Sequence, residues 1–105
     1  MSKGDIVLID FPFTDFSGRK RRHALVVGTS EYHSVVVFIT TQKTIPVRWR
    51  IPIPKTPITG LLTTSYLRCD KVLSVDVAVV VGGIGSVDTA TMEVVDSKLK
   101  RLLKL

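Results

Sequence analysis

Apolar runs and short polar breaks alternate along the first forty residues. Residues 6–11 read Ile-Val-Leu-Ile-Asp-Phe, and Pro12 stops the run. β-Branched side chains lose freedom in a helix and pack well on a pleated surface, so this run predicts a buried strand. Residues 13–18, Phe-Thr-Asp-Phe-Ser-Gly, carry turn formers and predict a loop. Ala24–Gly28 and Ser34–Thr41 are again apolar and β-branched. They predict a second and a third strand, joined by the polar stretch Thr29–His33.

The alternation of Val47–Ile53 predicts a strand with one wet face, and Pro52 pushes it to a sheet edge because proline cannot donate to a ladder. Pro54, Pro57 and Gly60 mark a loop. Ser65–Asp76 predicts a strand with a polar kink at Cys69-Asp70-Lys71. Val77–Val81 predicts a further strand, stopped by Gly82-Gly83, with the glycines through Gly85 forming a turn. The period then changes. Val87, Met92, Val95, Leu99, Leu102 and Leu103 follow helical spacing. Asp88 suits an N-cap, and Lys98, Lys100, Arg101 and Lys104 suit the negative end of the helix dipole. Many short strands followed by one amphipathic helix predict a β-rich α+β fold. The natural form is a small curled antiparallel sheet or barrel closed by a C-terminal helix.

Composition narrows the class. The 105 residues suffice for one domain, residues 1–105, and 45% hydrophobic content excludes a disordered chain. Cys69 is the single cysteine, so there is no internal disulfide, no cysteine-based zinc cluster and no CxxC pair. That fits a reducing compartment. Residues 1–5 lack the apolar stretch of a signal peptide, and no run approaches the ~20 residues that span a bilayer. A soluble, cytoplasmic protein without membrane partners is the expectation. P-loop, GxGxxG, HExxH and zinc-ligand spacings are all missing. The expectation is chemistry that uses neither a metal nor an organic cofactor.

The formal charge of +6 is uneven. Residues 19–55 hold eight cations (Arg19, Lys20, Arg21, Arg22, Lys43, Arg48, Arg50 and Lys55) against Glu31, a local +7. Arg19-Lys20-Arg21-Arg22 is either a solvated turn or a phosphate-binding edge. Arginine's planar, permanently charged fork matches phosphate.

Five segments together resemble the PemK/MazF family of toxin endoribonucleases. The opening Gly4–Asp15 is similar to the family's first strand and loop. Arg22-His23-Ala24-Leu25-Val26-Val27 resembles its Arg-Pro-Ala-Leu-Val-Val, and Ile39-Thr40-Thr41-Gln42 its strand-end Thr-Thr-Gln. Leu67–Asp76 resembles its Asp-Gln-Ile-Arg-Thr-Val-Asp stretch, and Gly83–Asp88 leads into a C-terminal helix as in the family. The resemblance implies an SH3-like barrel with a terminal helix, shared with the gyrase poison CcdB. It implies a homodimer held inactive by a small acidic antitoxin. It also implies metal-independent, sequence-specific cleavage of single-stranded RNA to 2′,3′-cyclic phosphate and 5′-hydroxyl ends. The alternative is a non-catalytic member of the fold, either a CcdB-like topoisomerase poison or an inactive RNA-binding module.

By the same resemblance, Arg22 and Thr40 are the catalytic pair. Arg22 would clamp the scissile phosphate, and the Thr40 hydroxyl would donate to a non-bridging oxygen. Ser17, Arg19, Lys20 and Arg21 in the first loop, with Thr41, Gln42, Arg48 and Arg50, are candidate RNA contacts. Thr41 faces away from Thr40 if the strand is regular. Phe13 or Phe16 stacks on a base or packs in the core. Trp49, between Arg48 and Arg50, either stacks on a base or turns inward. His23 stands where the family has proline. It either faces away from Arg22 or joins the site as an accessory acid or base.

Overall fold

A computed structural model describes residues 1–11 and 20–105. Six strands form one antiparallel sheet: β1 Asp5–Phe11, β2 Lys20–Thr29, β3 His33–Thr40, β4 Arg50–Ile53, β5 Ser65–Asp76 and β6 Val80–Ser86. The spatial order is β4-β5-β3-β2-β1-β6. Helix α1 follows at Thr89–Leu103. This is the β-rich α+β arrangement that the hydrophobic pattern predicts.

Strand alternation splits the apolar residues between two faces. On one face Ile6, Leu25, Val37, Leu67 and Cys69 pack with Val95 of α1, all fully buried. Met92 and Leu99 of the helix lean on the same cluster. The other face gathers Val7, Ile9, Ala24, Val26, Val36 and Phe38. Because both faces are covered over much of their length, β2 and β3 read as continuous apolar runs.

The strands β4 and β6 are the two edges and are not paired with each other. The loop after β4 bridges the gap instead. Ser86 N–H donates to Ile58 O at 3.0 Å. The backbones meet so closely that a Cβ on Gly85 would lie 2.3 Å from Ile58 O and Thr59 O. A Cβ on Gly60, whose φ is +70°, would lie 2.3 Å from Ile84 O. Two glycines thus permit the curl that the pattern predicts, through a loop contact and not a closed ladder.

Four expectations need correction. Val47–Trp49 is a 3₁₀ turn, and β4 begins only at Arg50. Trp49 is therefore half-buried beside a turn, outside any alternating strand. Val77–Val79 is likewise a 3₁₀ turn, capped by Asp76, and β6 runs straight through Gly82, Gly83 and Gly85. Those glycines sit in a strand because β1 against β6 slips register twice, after Ile6 and after Leu8, which tolerates missing side chains. The second strand starts at Lys20, four residues earlier than its apolar run. Leu103, placed on the helix's apolar stripe, is 57% exposed, since the last turn runs past the sheet. The helix start is as predicted: Asp88 accepts from Thr91 N–H at 2.8 Å.

Candidate functional site

The site grows out of the pairing of β2 and β3. Ala24 lies opposite Phe38, Leu25 opposite Val37 and Val26 opposite Val36. Continued by two residues, that register brings Arg22 opposite Thr40, on the face that carries Ala24 and Phe38. Side chains two apart on a strand share a face, so the pair stands at the open end of the second apolar cluster.

The neighbour on the other side is β5, and here the ladder breaks. Val37 is opposite Val72, yet Phe38 is opposite Arg68. Cys69, Asp70 and Lys71 therefore have no counterpart on β3. This bulge is the polar kink expected from the sequence. Bulges re-aim side chains and are frequent beside functional sites. Below it, Arg68 and Phe38 are cross-strand neighbours, and so are Thr40 and Tyr66.

A cleft of about 220 Å³ opens between these strands, lined by Arg22, Phe38, Thr40, Gln42, Arg68 and Lys71, with Ile39. An adjoining hollow of about 260 Å³ runs past the strand ends and is bordered by Arg21, Arg22, His23, Thr40, Thr41 and Gln42, with Ile39. Arg22, Thr40 and Gln42 border both. The floor is the buried Phe38 ring, and Lys71 Nζ lies 5.0 Å from its centroid. Gln42 N–H donates to Thr40 Oγ1 at 3.2 Å, which leaves the hydroxyl proton free to donate outward.

Arg68 and Asp70 form a two-pronged pair. Arg68 Nε donates to Asp70 Oδ1 at 3.2 Å and Nη2 to Oδ2 at 2.9 Å. That hydrogen bonding holds the Asp70 carboxyl below its ordinary range and the Arg68 guanidinium above its own. The cleft thus holds three cations, Arg22, Arg68 and Lys71, and Asp70 stands paired beside them. Cys69, between the pair, points into the core, and burial pushes its thiol up to about 11. It is a packing residue.

The remaining candidates are distributed around this centre. Ser17 and Arg19 lie outside the described residues, as do Phe13 and Phe16. Lys20 opens β2. Arg21 and His23 reach only the outer hollow, because they alternate with Arg22 along a regular strand. His23 is half-buried there. Arg50 lies on the β4 edge directly opposite Arg68, with its guanidinium 5.7 Å from the Tyr66 ring and donating to Lys43 O at 2.7 Å. Lys43 Nζ lies 5.9 Å from the same ring. Arg48 is not in the cleft: its guanidinium lies 5.7 Å from Trp49, and its carbonyl accepts from Lys98 Nζ at 2.7 Å. Arg68, Asp70 and Lys71 were missed as site residues by composition and motif. Their signal was the polar triplet that interrupts an apolar strand.

Among the described residues no three His, Cys, Asp or Glu side chains gather as a metal site, and no helix is long and apolar enough to cross a membrane.

No protein of curated function matches the sequence. Solved structures do match the fold. One is the MazE–MazF complex of Deinococcus radiodurans (Form-II), with a TM-score of 0.82 at 18% identity, covering 100% of this chain and 96% of that chain. Another is an endoribonuclease in complex with its cognate antitoxin from a mycobacterial species, with a TM-score of 0.79 at 18% identity and the same coverage. A third is the Mycobacterium tuberculosis toxin MazF-mt6, with a TM-score of 0.75 at 19% identity, covering 96% of this chain and 97% of that chain. At these identities the structures establish the fold. The family follows from the sequence itself, since residues 2–103 match the family of PemK-like, MazF-like toxins of type II toxin–antitoxin systems. The chain belongs to that family.

Proposed function

We propose that the protein is an endoribonuclease toxin that cleaves single-stranded RNA without a metal. The observation that carries this reading is the meeting of Arg22 and Thr40 across β2 and β3, in a cleft with two further cations. In such a reaction the 2′-hydroxyl gives up its proton and its oxygen attacks the adjacent phosphate, the P–O5′ bond breaks, the 5′-oxygen takes up a proton, and a 2′,3′-cyclic phosphate and a 5′-hydroxyl remain. The need for a 2′-hydroxyl restricts the substrate to RNA.

The chief demand on the protein is charge. The phosphorane gains negative charge on its non-bridging oxygens, and Arg22 supplies fixed donors for it. The guanidinium is a fixed charge, so in this scheme Arg22 stabilises charge and does not shuttle protons. The Thr40 hydroxyl donates to one of the same oxygens. His23 borders the outer hollow beside Arg22 and Thr40 and is the candidate for an accessory acid or base in this scheme. The cationic edge continues past Tyr66 to Lys43 and Arg50, giving the flanking phosphates a path.

The partners follow the same charge logic. An acidic antitoxin segment would compete with RNA for this edge. One of the matching structures is an endoribonuclease in complex with its cognate antitoxin, and another is MazE–MazF. A homodimer that joins two such edges into one groove is part of the proposal.

Mixed-sequence RNA incubated with the protein in EDTA tests it. Cleavage that survives chelation, yields cyclic phosphate ends and disappears in Arg22→Ala is expected. Intact RNA with every sequence tried overturns it.

A further inference from the structure

Strand β5 alternates cleanly beside the cleft. Ser65, Leu67 and Cys69 are buried, and Tyr66, Arg68 and Asp70 stand half-buried on the opposite face. Arg68 lines the cleft, and Asp70 holds Arg68. Tyr66 has no such account: it is a member of neither apolar cluster, yet it places an aromatic ring on a charged face. We propose that this ring is a stacking platform for one unpaired RNA base, that of the nucleotide beside the scissile phosphate. The proposal rests on the ribonuclease reading above and adds a substrate-binding residue to the same site.

Three observations carry it. First, the ladder sets the ring one strand away from the chemistry. Thr40 is directly opposite Tyr66 on β3, and Pro52 is directly opposite it on β4. Side chains directly opposite share a face, and neighbouring strands lie about 4.8 Å apart. With Arg22 opposite Thr40, one row runs Arg22, Thr40, Tyr66, Pro52 across four strands. The ring lies just past the cleft and not in its lining, within reach of a base whose own phosphate is held by Arg22 and Thr40.

Second, two cations attend the ring. The Arg50 guanidinium is 5.7 Å and Lys43 Nζ 5.9 Å from its centroid. Atoms in contact lie about 3.5–4 Å apart, so both cations stand off the ring. Arg50 is anchored by donating to Lys43 O at 2.7 Å. A ring for the flat face of a base, with cations for the phosphates on either side, is the combination that holds a single strand. Third, the row ends at the sheet edge in Pro52, which is exposed. Proline has no N–H to give, so this end of the row is unsuited to pairing with a strand and leaves an apolar ring beside Tyr66. Stacking is indifferent to base identity, because every base has a flat face. Tyr66 thus anchors the strand at the cut and does not by itself choose the cut sequence.

Mapping the 5′-hydroxyl ends of cleaved RNA locates a cut sequence. In an oligoribonucleotide carrying it, an abasic ribonucleotide then replaces, in turn, the nucleotide on each side of the cut. With wild-type protein, one of the two abasic substrates is expected to lose about tenfold in kcat/KM. Tyr66→Ala is expected to lose about as much on the intact substrate, through KM more than kcat, and to lose nothing further on that abasic substrate. Tyr66→Phe keeps the ring and is expected to keep the abasic penalty. Tyr66→Leu keeps apolar bulk without an aromatic face and is expected to lose the penalty, which reads the same contrast should Tyr66→Ala fail to fold.

No abasic penalty at either position, or a Tyr66→Ala or Tyr66→Leu variant that keeps the full penalty, overturns the platform and leaves the ribonuclease reading standing. A wild-type protein that cuts no RNA at all overturns both.

Discussion

Under the helix, Leu25, Val37 and Leu67 pack at zero exposure. On the opposite face, the same three strands carry Arg22, Thr40 and Arg68 around a cleft. The two sets lie an odd number of residues apart on each strand, three on β2 and β3 and one on β5, so alternation puts them on opposite faces. One face turns burial into stability, and the end of the other holds charge in water, where it can meet a charged ligand. The helix face needs shape and volume. The cleft face needs donors in fixed places, which the β2–β3 register and the β5 bulge supply. Substitutions on the two faces should therefore separate cleanly into losses of rate and losses of stability.

The largest expected effect is on rate. Arg22→Ala removes the fixed charge opposite Thr40 and should lower RNA cleavage by about a thousandfold, roughly 4 kcal/mol of barrier. Arg22 is exposed, so the thermal midpoint should stay within a few degrees of wild type. Single-turnover cleavage and calorimetry on the same sample check both halves. A variant that unfolds would place Arg22 on the stability side.

Leu67→Ala is the converse. The side chain is fully buried between β3, β4 and α1, and its loss should cost about 2–5 kcal/mol in urea unfolding. Below the unfolding transition the cleavage rate per folded molecule should match wild type. Its neighbour Cys69 reports the same event. With no exposure and a thiol pushed up to about 11, it should resist alkylation in the folded protein and react once the core opens. Alkylation of Leu67→Ala should run faster in proportion to its lost stability.

Thr40→Val is smaller and again belongs to the cleft. It keeps the β-branched shape and removes one donor, so cleavage should fall about 10- to 100-fold, as for the loss of a hydrogen bond to a charged group. The unfolding midpoint should barely move. A loss of stability with no loss of rate would make Thr40 a strand former and not a site residue.

These contrasts also explain what was legible in the sequence. The apolar core was, because β-branched runs and helical spacing are written locally. Ile6, Leu25, Val37 and Val95 were marked by their own neighbours. Asp88 was legible as a cap for the same reason. The edges of elements were not. Val47–Trp49 and Val77–Val79 have strand-like composition, yet each forms a 3₁₀ turn with no buried residue, the second capped by Asp76. The glycines of β6 look like a turn in isolation. They lie in a strand because β6 pairs with β1, and of the three only Gly85 is met closely by the Ile58–Thr59 backbone. Arg22 and Thr40 were legible as residue types with a family resemblance. Arg68 and Lys71 were not, since only the three-residue slip between β3 and β5 carries them to the same cleft.

The smallest effect sharpens the comparison most, because it asks whether the cleft's own ion pair adds stability. The hydrogen bond from Arg68 lowers the Asp70 carboxyl below its ordinary value, and Arg68 stays charged throughout. A depressed folded-state value means stability that is present above the unfolded value, near 4, and lost as pH falls through the folded one. Wild type should therefore lose stability relative to Asp70→Asn between about pH 5 and the acid limit, with the two curves converging at the lowest pH. Asp88 is lowered in the same direction by its bond to Thr91, but it is common to both proteins and cancels in the difference. The side chains of Arg68 and Asp70 are 37% and 23% exposed, so water screens the pair and the gap at neutral pH should be under about 1 kcal/mol. A gap of several kcal/mol would move the pair to the structural side of the molecule. A small one leaves a carboxylate that orients Arg68 at the cleft with little benefit to the fold.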